Sequence, residues 1–193
     1  MRKLKYILAS LVLVTGLVSC ETEAIDEKVK DEALEGKPIL RFELNNEQTV
    51  ISDKVNVEWS GDSFTIEAKV SIVNNDNMGD PKHQYKAATL FIGFSNLAIA
   101  NYPTALSLEN PTGYTSSAVL RILEMNDEGL EVWNQYSTDN ADEKQEAGYG
   151  NISGINQTAK FLDGNFDYIL YPMEGSVLKP QRLSNGNFYY IKY

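Results

Sequence analysis

Any chemistry in this chain must be assembled from one histidine, one cysteine, two tryptophans and 27 acidic side chains. A nucleophilic triad would have to use His83, with an acid such as Asp80 and a distant serine, because an imidazole carries the proton in such sites. The string Gly79-Asp80-Pro81-Lys82-His83 reads instead as a loop entering a strand, which makes His83 a turn or surface residue. No Gly-x-Ser-x-Gly elbow, His-Glu-x-x-His helix or cysteine-rich zinc spacing occurs. Paired carboxylates could run glycoside hydrolysis, but that chemistry needs one defined separation across a cleft, and nothing in the sequence singles out a pair.

Two oxygen-rich segments invite a calcium test. Asn74-Asn75-Asp76-Asn77-Met78-Gly79-Asp80 resembles the start of a calcium loop, yet Met78 stands where an oxygen ligand is required and no glutamate closes the set. Thr138-Asp139-Asn140-Ala141-Asp142-Glu143 has oxygen donors without diagnostic spacing. Both read as solvated turns, so no metal, cofactor or catalytic residue is assigned. Trp59 and Trp133 are the candidates for ligand binding, because an exposed indole offers a broad apolar face on which a sugar ring can stack. Against this stands the usual fate of strand aromatics, which is to fill a core.

Cys20 carries the clearest signal. Arg2, Lys3 and Lys5 form a cationic start, and Tyr6 to Val18 is an apolar run of 13 residues. That is short of the roughly 20 that a helix needs to cross the hydrocarbon core, so the run reads as a signal segment. It ends in Leu17-Val18-Ser19-Cys20, which resembles the lipobox of bacterial lipoproteins. The expectation is a signal peptide over 1–19, cleavage before Cys20, and lipid on that cysteine as the link to the membrane. As the sole cysteine, Cys20 also leaves no intramolecular disulfide and, once acylated, no thiol for catalysis.

The formal charge of −10 excludes nucleic acid as a partner, since such binding neutralises phosphates with Lys and Arg. Loss of Arg2, Lys3 and Lys5 with the leader makes the mature form more acidic still. Residues 21–38, ETEAIDEKVKDEALEGKP, hold many charges and few large apolar groups, so 20–38 is expected to be a lipidated, acidic and flexible tether. Ile25, Val29 and Ala33 give a weak helical alternative that Gly36 and Pro38 would end.

From Ile39 onward the pattern alternates with period two, which predicts one β-rich domain over 39–193. Strands are expected over 40–44, 55–59, 64–72, 87–94, 118–123, 130–136, 148–155, 165–171 and 187–193. Phe64, Ile66, Ala68, Val70 and Ile72 should share a buried face, and Ser60-Gly61-Asp62-Ser63 should turn the preceding strand into this one. Residues 74–82 form a loop, and Asp127-Glu128-Gly129, Asp163-Gly164 and Asn185-Gly186 read as further turns. In the last strand, Phe188 and Tyr190 should oppose Tyr189, Ile191 and Tyr193. The fold class is all-β, an antiparallel β-sandwich, with a small up-and-down or partly open β-barrel as the alternative.

With its lipobox, acidic spacer, FTIEAKVSI hairpin strand, YGNISGI, Leu162-Asp163-Gly164-Asn165-Phe166 and Leu183-Ser184-Asn185-Gly186-Asn187-Phe188, the chain resembles a family of short lipoproteins common in Bacteroidota. The resemblance implies a single β-rich domain and a place in the cell envelope, at the outer membrane, with no chemistry attached. The functional expectation is a noncatalytic, lipid-anchored binding or structural module. Its alternatives are a glycan-binding lipoprotein using exposed aromatics and a small envelope hydrolase. An envelope protein or a glycan is the expected partner.

Overall fold

The structure is a computed structural model and describes residues 36–74, 84–104, 113–126, 128–141 and 147–193. The expected signal peptide, Cys20, the expected tether up to residue 35, Asp80, His83, residues 75–80 of the first oxygen-rich segment and Asp142 and Glu143 of the second lie outside the described residues. Gly36–Tyr193 forms one compact unit. Among the described residues no helix is long and apolar enough to cross a membrane.

The described residues form eleven strands: β1 (Ile39–Leu44), β2 (Gln48–Ser52), β3 (Val55–Ser60), β4 (Ser63–Val73), β5 (Tyr85–Phe94), β6 (Ala100–Pro103), β7 (Ser116–Met125), β8 (Glu131–Ser137), β9 (Gly148–Asn156), β10 (Phe161–Pro172) and β11 (Gln181–Lys192). Every ladder is antiparallel. One layer has the order β2-β1-β11-β10-β9-β6 and the other β3-β4-β5-β7-β8. The layers are continuous through β10, whose early residues pair with β9 and β11 while Tyr171 and Pro172 reach Ser137 and Tyr136 of β8. No ladder joins β2 to β3, so the network does not close into a barrel. The fold is an all-β antiparallel sandwich.

The period-two pattern accounts for most of this. On β4, Phe64, Ile66, Ala68, Val70 and Ile72 are buried, and the residues between them are not. Ser60 pairs with Ser63 across a two-residue turn whose Gly61 takes φ 62°, a left-handed value that glycine adopts without steric cost. Leu90, Ile92, Phe94, Ala118 and Leu120 extend the same inner surface across β5 and β7. The facing layer contributes Leu40, Phe42, Leu162, Phe166, Tyr168, Leu183 and Phe188. Between the layers the rings of Phe94 and Phe188 meet at 6.0 Å. Ser116 of β7 donates to the Tyr102 carbonyl of β6 at 2.6 Å and accepts the Gly150 N–H of β9 at 3.1 Å, stitching the layers with polar bonds.

Two expectations require correction. Asp163-Gly164 and Asn185-Gly186 are not turns between strands; both lie inside β10 and β11. Gly164 is the cross-strand partner of Phe188, and Gly186 that of Phe166. A Cβ on either glycine would collide with the partner ring. Glycine here makes room for an aromatic ring, which from local sequence is indistinguishable from a turn signal.

The second correction concerns the last strand, where Phe188 and Ile191 are both buried although three residues apart. Tyr190, at φ 53°, inserts an extra residue between them, so strict alternation fails there. β2 and β6, by contrast, carry no readable signal in the sequence. The inward positions of β2 are Val50 and Ser52, the latter polar, and β6 is four residues ending in proline.

Candidate ligand-binding face

Trp133 sits on β8 between Val132 and Asn134, and the pleat turns its indole away from the core that Tyr136 enters from the same strand. It is 55% exposed. Directly opposite on β7 is Leu123, and one step along the face Arg121 pairs with Gln135. The Arg121 Nε donates to the Gln135 Oε1 at 3.0 Å, and its guanidinium lies 5.4 Å from the centre of the Phe91 ring on β5. Glu67 of β4 stands opposite Phe91, and Thr89 opposite Arg121.

These side chains come from four adjacent strands and line a shallow, open concavity of about 330 Å³. Its chemistry is mixed. Trp133 and Phe91 provide flat apolar surface, Arg121 provides fixed donors held by Gln135 and by the Phe91 ring, and Glu67, Gln135 and Thr89 provide acceptors. Among the described residues Glu67 is the one carboxylate that lines it, whereas glycoside hydrolysis takes two. Among the described residues no group of three or more His, Cys, Asp or Glu is placed to hold a metal ion.

Trp59 is elsewhere. It pairs with the buried Phe64 at the β3 edge, on the core side of the layer, with its ring centroid 5.2 Å from Phe64 and 6.2 Å from Tyr193. At 46% exposed it covers the margin of the core. Three strands separate β3 from β8 in the layer, and the two indoles leave it on opposite sides. The structure therefore does not bring the two tryptophans together. Asp139 and Asn140 form a short 3-10 turn after β8, in which the Ser137 hydroxyl accepts the Asp139 N–H at 3.0 Å and the Asn140 amide donates to the Tyr171 carbonyl at 3.0 Å.

Just behind Trp133, at the rim of the core side, Lys86 and Glu124 form an ion pair at 2.7 Å and the Asn134 amide also donates to Glu124. Burial pushes the Glu124 carboxyl upward, but the hydrogen bonds from Lys86 and Asn134 and the lysine charge outweigh it and hold the group below its ordinary range. The pair fixes β5, β7 and β8 at the end of the layer where Trp133 stands.

Phe91, Arg121, Glu67 and Gln135 escaped the sequence reading. The one available signal was Phe91, an aromatic on the outward phase of a strand whose inward phase is Leu90, Ile92 and Phe94. Comparison with family models, with curated proteins and with solved structures finds no match for this chain.

Proposed function

We propose that the chain is a noncatalytic, lipid-anchored module of the bacterial envelope, held at the outer membrane through Cys20, that binds glycans on the outer face of β5, β7 and β8. The observation that carries this is the exposure of Trp133 beside polar groups that are already oriented. An indole that contributes to no core, flanked by a fixed guanidinium, an amide and a carboxylate, meets both needs of a sugar ring. Its apolar face finds a flat surface, and its hydroxyls find donors and acceptors.

A second reading, a protein partner, is favoured by one observation. Tyr85, Met125 and Leu130 are each more than half exposed and lie at the same end of the layer as Trp133. Contiguous exposed apolar surface of this kind marks protein contacts as well as ligand grooves.

The test is a fluorescence titration of the full chain in a zwitterionic detergent without sugar headgroups, against a panel of neutral and acidic oligosaccharides. Binding should shift tryptophan emission, Trp133→Ala should weaken affinity by about tenfold or more, equivalent to about 1.4 kcal/mol, and Trp59→Ala should retain it. Equal affinity in wild type and Trp133→Ala would overturn the glycan proposal, and so would a panel with no binder.

A further inference from the structure

The opposite layer carries a pattern that the Trp133 face does not explain. Asn101 of β6 pairs with Asn151 of β9, Asn151 with Asn165 of β10, and Asn165 with Asn187 of β11. Residues directly opposite one another in a ladder share a face. Their chain neighbours Tyr102, Ile152, Phe166 and Phe188 are buried, so this row of four asparagines lies on the outer surface. At the usual strand spacing the row is about 14 Å long.

Asparagine is depleted in strands because its amide competes with the ladder for backbone groups and packs poorly on a pleated sheet. Four strands placing it at one register position run against that preference, and departures from a local rule mark places where another demand is met. Internal bonding does not supply that demand. Among the described residues the side-chain amides of Asn101, Asn151 and Asn165 make no hydrogen bond, and Asn187 donates only to the Asn185 carbonyl, at 2.9 Å. Tyr149, 41% exposed, stands on the same face two residues before Asn151 and opposite Asp167. Tyr149, Asn165, Asp167, Asn185 and Asn187 line a concavity of about 250 Å³.

We propose that this row is a second carbohydrate site, taking a neutral polysaccharide chain laid across β6, β9, β10 and β11. Each amide presents a donor and an acceptor in one plane and carries no charge, which complements sugar hydroxyls that both give and take hydrogen bonds. The strand spacing offers such a group about every 4.8 Å along the row, and the Tyr149 ring supplies a stacking surface beside it. On the same face Asp167 is paired with Arg182 at 3.5 Å and Arg41 stands opposite Asn187, while Asp163 and Glu43, in a chain of net charge −10, favour a neutral chain over a polyanion. The site lies on the other layer from Trp133 and does not depend on it.

The test is affinity electrophoresis of the full chain, in the same detergent, through native gels containing dextran, mannan or xyloglucan, with alginate and heparin gels as polyanion probes. The double variant Asn151→Thr/Asn165→Thr replaces amides with a residue that strands favour, so its thermal transition should hold or rise while retention in a neutral gel falls about tenfold. Made in a Trp133→Ala background, the same pair should remove whatever retention that background keeps. Retention by no neutral gel overturns the proposal. So does retention unaltered by the asparagine pair, or retention stronger in the polyanion gels. If Trp133→Ala alone matches wild type while the asparagine pair loses retention, the Trp133 reading fails and this one stands.

Discussion

Phe166 and Gly186 are cross-strand partners on β10 and β11, and the phenyl ring fills the space a Cβ at position 186 would need. One register step away the roles reverse, with Phe188 over Gly164. The two pairs bring aromatic rings flat against neighbouring backbone and let Phe166 and Phe188 stack at 6.5 Å within the core.

Gly186→Ala should therefore destabilise the domain by about 1–3 kcal/mol, the usual cost of forcing extra volume into a packed core. A denaturant midpoint measures it. Phe166→Leu will cost stability alone, but combined with Gly186→Ala it should cost less than the sum, because the smaller side chain makes room for the methyl group. Strict additivity of the two changes would show that ring and glycine do not share this space.

Asp163 accepts the backbone N–H of Tyr190 at 2.8 Å and so fixes the bulge at which Tyr190 takes φ 53°. A left-handed tyrosine costs about 1–2 kcal/mol unless its surroundings hold it, and the Phe161 ring, 4.7 Å away, is the other support. Asp163→Ala should lower stability by about 1.5–3 kcal/mol, the range for a hydrogen bond to a charged group. Asp163→Asn keeps an acceptor and should lose less. Melting curves that leave Asp163→Ala equal to wild type would remove the bond from any structural role.

Acid stability should report on Glu124. Its folded-state carboxyl is held low by Lys86 and Asn134 against the upward push of burial, so its contribution is present above the ordinary glutamate value of about 4.3 and is lost as pH falls through the depressed one. Unfolding free energy measured from pH 6 down to pH 3 should decline. Glu124→Gln should be less stable at pH 6 and should flatten that decline. An identical acid limb in the variant would assign it to other carboxylates.

Cys20→Ala should abolish metabolic labelling by fatty acid and release the protein from the membrane fraction. A variant that still sediments with membranes would refute lipid attachment at this residue. Because the acidic chain gains nothing from anionic headgroups, no electrostatic association is expected to substitute for the acyl chains.

What sequence alone determined was everything encoded over a few consecutive residues. The Phe64–Ile72 alternation specifies a strand with one buried face. A single cysteine excludes an intramolecular disulfide, the short apolar run that ends at it carries the expectation of an anchor, and the scarcity of histidine and cysteine limits the catalytic options. Trp59 and Trp133 looked equivalent, since an indole in an alternating segment has the same local signature whether its strand is at an edge or in the middle of a layer.

Only the tertiary structure separated them, placing Trp59 against Phe64 and Tyr193 and leaving Trp133 outside beside Arg121. The same holds for Gly164 and Gly186, read locally as turns and found beneath aromatic rings, and for the asparagine row, whose members lie from 14 to 86 residues apart along the chain. The physical reason is register. Strand pairing decides which side chains meet across a ladder, and that choice is made by burial summed over whole faces, which no single segment contains.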